Sequence, residues 1–179
     1  MNIFYIDKDP RTCAEQMVDK HVVKMILETA QLLSTAHRMI DGVLFVGKTK
    51  TGRNVKRWRL DDPKKDETIY QATHVNHPSA VWCRASNNNY NWLFCHFEAL
   101  LTEYTYRYGK VHKCAELVPY LREYPKAIHV GYFTPVTPAM PDEYKVEHDS
   151  VASYRNYYRI AKERMHKWTK RPTPEWLVA

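Results

Sequence analysis

Apolar residues along the chain fall into three stripes with helical spacing, separated by turn chemistry. Cys13, Met17, Val22, Met25, Ile26, Thr29, Leu32, Leu33, Ala36 and Ile40 recur largely at steps of three and four, which places them on one helix face. Asp9-Pro10 reads as the start of that helix. An aspartate there accepts from the unpaired N–H groups of the first turn, and a proline lacks only a donor that would have no partner. Asp41-Gly42 reads as the end. One continuous helix is therefore predicted from about residue 10 to 41. Tyr90, Leu93, Phe97, Leu100, Leu101, Tyr104 and Tyr108 predict a second helix, capped within 86–89 and stopped at Gly109. Val151, Tyr154, Tyr158, Ala161, Met165 and Trp168 predict a third, starting at Asp149 or Ser150 and running to about residue 168, before Pro172 and Pro174.

Between these stripes the pattern is shorter-ranged. The opening MNIFYI is a brief apolar run, read as packed strand or extended chain. Residues 43–60 hold an apolar run, a Gly- and Lys-rich turn and a basic alternating segment, which fits a hairpin or an exposed basic loop. SAVWCRAS predicts a short helix, and His112 to Leu121 another, cut by Pro119. Pro125, Pro135, Pro138 and Pro141 make an irregular arm. No repeat, linker or low-complexity tract divides the chain. The expected fold is mainly α: a compact single domain over 1–179, with three principal helices and a small basic β-hairpin or loop insertion.

Composition narrows the partners. Lys+Arg 27 against Asp+Glu 20 leaves +7 in 179 residues, so the surface favours polyanions such as nucleic acid over acidic proteins. Hydrophobic residues at 44% and charged residues at 26% are ordinary globular usage, which fits neither a disordered tail nor a membrane protein. Gly 5 and Pro 10 are too few for a sandwich of many tight turns. Tyr 13 and Trp 5 are more than a core needs. Aromatic faces beside cations hold unstacked bases, although an aromatic core with a tyrosine-rich rim gives the same count. Cys13, Cys83, Cys95 and Cys114 form no CxxC, and nothing at the start resembles a signal peptide, so reduced thiols in a cytoplasmic protein are expected.

The candidate chemistry lies on the polar side of the first helix. GxGxxG and HExxH are missing, which argues against kinase and metalloprotease chemistry. His21, Lys24, Glu28, Gln31 and Thr35 line one stripe, and Lys24 and Glu28 are i,i+4 neighbours: an amine and a carboxylate on one face, or an ordinary helix ion pair. The basic run 48–65 reads as a grip on phosphates or as a solvated charge run. The run Arg107, Lys110, His112, Lys113 past Gly109 is expected to face outward together, as phosphate contacts or as a basic helix end. His74 and His77 in THVNHP have zinc-like spacing, but no thiolate or carboxylate completes a set, so neither metal nor cofactor is expected.

MNIFYIDKDP, KMILETAQLLSTAH, HPSAVWCRASNNNYNWL and the ending RPTPEWL together resemble the phage-type pyrimidine-dimer DNA glycosylases and their phage relatives. The resemblance implies a compact three-helix enzyme that flips a nucleotide from double-stranded DNA, cuts the glycosidic bond and nicks by β-elimination. It implies no obligate protein partner and no membrane. In that family the nucleophile is the N-terminal α-amine and the acid/base residue is a Glu on the first long helix, flanked by Arg. Glu28 resembles that Glu, with His21 and Lys24 standing where the family places Arg. The family exposes a small hydroxyl residue after its initiator Met, whereas Asn2 follows here. The amine candidates are therefore Met1, Lys20 and Lys24. The cations expected to hold DNA are Lys20, Arg57, Arg59, His77, Arg84, Arg107, Lys110, His112 and Lys113. A base-modification enzyme on the same scaffold, or a nucleic-acid-binding protein without catalysis, fits the same residue types.

Overall fold

A computed structural model describes residues 1–178. The Asp9 carboxylate accepts from the Thr12 N–H at 2.7 Å and Pro10 opens α1 (Pro10–Glu15), as the sequence predicts. The predicted continuous helix is, however, broken at residues 16–18, and α2 (Asp19–Asp41) starts anew after Val18. The apolar stripe itself steps five residues from Met17 to Val22, one too many for a single face. Two side chains from distant segments satisfy the carbonyls that the break releases. Arg107 donates to Met17 O and Glu15 O, both at 2.9 Å, and the Trp168 indole N–H donates to Gln16 O at 2.8 Å.

The second predicted helix forms as α5 (Asn87–Tyr108). The Ser86 hydroxyl accepts from Asn89 N–H at 3.1 Å, and Gly109 ends it at φ 66, a left-handed conformation that glycine takes without a steric penalty. It runs antiparallel to α2. At one end His37 Nε2 lies 2.9 Å from the Tyr90 hydroxyl, and at the other Arg107 meets Asp19 at 2.9 Å. Val22, Met25, Ile26, Leu32 and Leu33 of α2 and Leu93, Phe97 and Leu100 of α5 form one core with the buried opening residues Ile3 to Ile6, which are neither strand nor plain extended chain, since Ile6 N–H turns back to Phe4 O at 2.8 Å.

Smaller elements frame this pair. The hairpin forms, with β1 (Val43–Lys48) antiparallel to β2 (Asn54–Arg59) in the register Val43↔Arg59 to Lys48↔Asn54. The helix α3 (Pro63–Thr68) was not expected, because it buries nothing and so leaves no apolar stripe. Its signal is the same Asp-Pro pair, Asp62 accepting from Lys65 N–H. The short helix α4 (Pro78–Cys83) follows His77, whose Nδ1 accepts from Ser79 N–H. A 3-10 turn over Lys113–Leu117 leads into α6 (Val118–Leu121). Pro119 sits in the first turn of α6 and does not cut it, since that position needs no donor.

The proline arm is irregular, as expected. The last long helix, α7 (Ser150–Ala161), is capped by Asp149 but ends seven residues short of Trp168. The backbone beyond it is used otherwise: Lys167 O accepts from Asp19 N–H at 2.9 Å, and the Asp19 carboxylate accepts from Thr169. The tail thus caps the start of α2 and closes with α8 (Glu175–Val178). The molecule is mainly helical and compact, with one small hairpin. No helix among the described residues is long and apolar enough to cross a membrane.

Candidate active site

Glu28 sits mid-way along α2 with its side chain 13% exposed, at the floor of an open cleft of about 390 Å³. One hydrogen bond and two ion pairs converge on its carboxylate. Asn2 N–H donates to Oε2 at 2.9 Å, the Met1 α-amine lies 3.8 Å from the same oxygen, and Lys24 Nζ lies 3.3 Å from Oε1. The i,i+4 pair seen in the sequence therefore exists, but it shares its carboxylate with the start of the chain, twenty-six residues away. Lys20, Lys24 and Lys162 line the cleft, and Phe4, His21 and Met165 complete it.

The terminal residues are clamped in place. The Asn2 side-chain oxygen accepts from the Tyr154 hydroxyl at 2.9 Å and from Ile3 N–H at 2.8 Å, while its amide donates to Ala139 O at 2.8 Å. Tyr154 is fully buried, and burial pushes its phenol above the ordinary range, so it stays a donor. Phe4, at φ 57, stacks on the His21 ring with centroids 4.0 Å apart.

His21 faces the cleft edge yet is not a cation. Its Nδ1 lies 2.5 Å from the Tyr158 hydroxyl, and burial, aided by Lys162 and Lys24, pulls its pKa down to about 3. It packs as a neutral aromatic wall beneath Phe4. His77 is also held below its usual range, by burial first and then by the nearby terminal amine.

The expected DNA-holding cations divide. Lys20 lines the cleft, and Lys110 and Lys113 are exposed past the end of α5. Arg57 and Arg59 lie on the hairpin, away from the cleft. Half-buried His112 caps the 3-10 turn, its Nδ1 accepting from Cys114 N–H. Half-buried Arg84 closes α4. Arg107 does not face outward. It is buried against Glu103, Asp19 and the carbonyls of the α1–α2 break, because those groups would otherwise be unpaired.

A family model described as pyrimidine dimer DNA glycosylase matches residues 1–117. The chain belongs to that family. Its members are DNA repair glycosylases by description, so DNA is the substrate at the family level. No curated protein and no solved structure matched the chain. The match covers Met1, Asn2, Lys24 and Glu28 and stops before α7. Lys162 and Met165 of the cleft wall, and Tyr154, which clamps Asn2 from behind it, come from the remainder. Sequence reasoning missed Asn2, Tyr154 and Lys162 as site residues. Tyr154 looked like one more apolar-stripe position, and no local pattern links residue 154 to residue 2.

Proposed function

We propose that the protein is a DNA glycosylase and AP lyase acting on a damaged or modified pyrimidine in double-stranded DNA, with the Met1 α-amine as nucleophile and Glu28 as acid/base. One observation carries this reading: the amine lies 3.8 Å from the Glu28 carboxylate in a cleft open to solvent and rimmed by lysines. An α-amine titrates near ~8 and an ordinary lysine near ~10.4, so the terminus more readily supplies the neutral nucleophile. That amine attacks C1′ of a flipped nucleotide, the glycosidic C–N bond breaks, and the base leaves with the bonding pair and takes up a proton. Glu28 accepts the proton lost by the amine and passes it to O4′ as the sugar ring opens, leaving an iminium between Met1 and C1′. The carboxylate, free again, removes a C2′ proton. The C3′–O bond then breaks with the phosphate as leaving group, and water hydrolyses the iminium. Lys20, Lys24 and Lys162 face the phosphates on either side. The chain works as one unit in the cytoplasm, with no protein partner.

Borohydride trapping on a duplex with one abasic site tests the reading. Native protein is expected to give a covalent adduct. A residue added before Met1 should abolish the adduct, and Lys24→Ala should only weaken it. The reverse pattern would move the nucleophile to Lys24. No adduct with native protein would remove the lyase and favour base modification or binding alone.

A further inference from the structure

The hairpin is the part of the molecule that the cleft does not use. Between Val43 and Leu60 the sequence has six cations, Lys48, Lys50, Arg53, Lys56, Arg57 and Arg59, and no carboxylate. Its first strand also leaves four consecutive apolar side chains open, with Val43 at 66%, Leu44 at 53%, Phe45 at 38% and Val46 at 69% exposure. Exposure at successive positions means that both faces of the ribbon are free, because side chains alternate between faces. The register places Val43 and Phe45 with Arg59 and Arg57 on one face, and Leu44 and Val46 with Trp58 and Lys56 on the other. The Arg59 guanidinium lies 5.1 Å from the Phe45 ring centre. Each face therefore pairs apolar surface with cations, which suits a groove walled by phosphates and floored by base edges. A two-stranded ribbon has the width that the major groove of B-DNA admits.

The ribbon is tied firmly to the helix that carries Glu28. Arg38, fully buried on α2, donates to Trp58 O at 2.7 Å, to the Asp66 carboxylate and Asp66 O at 2.6 Å each, to Tyr70 O at 2.6 Å and to Ile69 O at 3.0 Å. Asp66 in turn accepts from Leu60 N–H at 2.9 Å. Glu28 and Arg38 are ten residues apart on one helix, about 15 Å at 1.5 Å per residue. The six-residue strands reach about 20 Å beyond that foot.

We propose that the hairpin is a duplex arm: it lies in a groove of the DNA flanking the nucleotide held at Glu28, beginning about four base pairs away at 3.4 Å per pair. This rests on the DNA reading of the cleft. The test compares native protein with a variant carrying Lys48→Gln, Lys50→Gln, Arg53→Gln and Lys56→Gln, all solvent-facing changes. The probes are duplexes of about 10 and about 24 base pairs, each with one central abasic-site analogue. The shorter ends about 17 Å from its centre.

The variant should lose about tenfold or more in affinity for the longer duplex and less than about twofold for the shorter. Its salt slope on the longer should be shallower by about 3, close to one phosphate per lost cation. Hydroxyl-radical protection of the flanking pairs by native protein should vanish in the variant. Equal losses on both lengths, or none on either, would overturn the arm while leaving the cleft reading intact. Self-association of native protein without DNA, removed by the four substitutions, would reassign the ribbon to a second copy of the chain. If native protein bound neither duplex, the arm would fall together with the DNA reading.

Discussion

Glu28 differs from an ordinary helix carboxylate in what surrounds it. A surface Lys–Glu pair contributes a few tenths of a kcal/mol and leaves the carboxylate free in water. Here the same oxygen that faces the Met1 amine also accepts from Asn2 N–H, so its direction is set by the chain terminus. Glu28→Gln keeps an acceptor for Asn2 but removes the charge and the exchangeable proton. Turnover should fall by about 10² or more, with DNA affinity retained, in single-turnover and binding assays. A fall in folding stability with unchanged rate would reduce the residue to a salt bridge. Tyr154 acts one step further back, through Asn2. Tyr154→Phe removes the hydroxyl that donates to Asn2 and that accepts from Ala139 N–H at 3.2 Å. In the proposed mechanism the amine then loses its fixed approach to C1′, so kcat and the trapping rate should drop about tenfold while KM stays within about twofold. A change in KM alone would assign Tyr154 to packing.

The α1–α2 junction and the C-terminal tail are solved by the same few side chains. Arg107 donates to Glu103 at 2.6 Å, to Asp19 at 2.9 Å and to two freed carbonyls, and Arg171 donates to the other Glu103 oxygen at 2.8 Å. Removing a buried partner of this kind leaves charges and carbonyls without donors, which is costlier than never having buried them. Arg107→Ala should therefore destabilise the protein by about 3–5 kcal/mol in urea titrations. A stable variant that had lost only DNA affinity would restore Arg107 to the DNA surface. The break that this network serves falls at the five-residue step between Met17 and Val22, a local signal legible in the sequence that the prediction of one continuous helix passes over. Its partners were not legible there, because they lie about ninety residues and more further along the chain.

Across the whole molecule, buried histidines set the response to acid. His21 and His37 are held near pKa 3 and His96 near 4, in each case first by burial. An unfolded histidine takes up a proton near pH 6.5, and these three refuse it while folded. Their contribution is complete above about pH 6.5 and shrinks as pH falls towards 4, each by up to about 1.4 kcal/mol per pH unit. Stability should thus drop by about 3 kcal/mol between pH 6.5 and 5.5, read from urea midpoints. His96→Gln should flatten that dependence by about a third, and an unchanged slope would show that His96 does not resist protonation. Further down, Asp19 and Asp66 add to the loss. Against the pull of their burial, N–H and guanidinium partners hold both below the ordinary carboxylate range.

Periodicity and capping chemistry were enough to place the start of α1, the end of α2, α5 and the start of α7, because helix faces and caps are set within a few residues. The same local rules made Lys24 and Glu28 neighbours and flagged the basic hairpin. Residues brought together by the fold alone lay beyond that reach. The Met1 amine meets Glu28 only because Asn2 is held from the far end of the chain by Tyr154 and Ala139. Arg107 looked like a surface cation because its sequence neighbours are basic, and it is buried because α5 carries it against unpaired carbonyls of α1. Helix α7 stops at Ala161 although the apolar spacing continues, since the following backbone is needed to cap α2. Local propensity is decided by neighbours in sequence. Which polar groups remain unpaired, and therefore which distant side chains must come to them, is decided only when the helices pack.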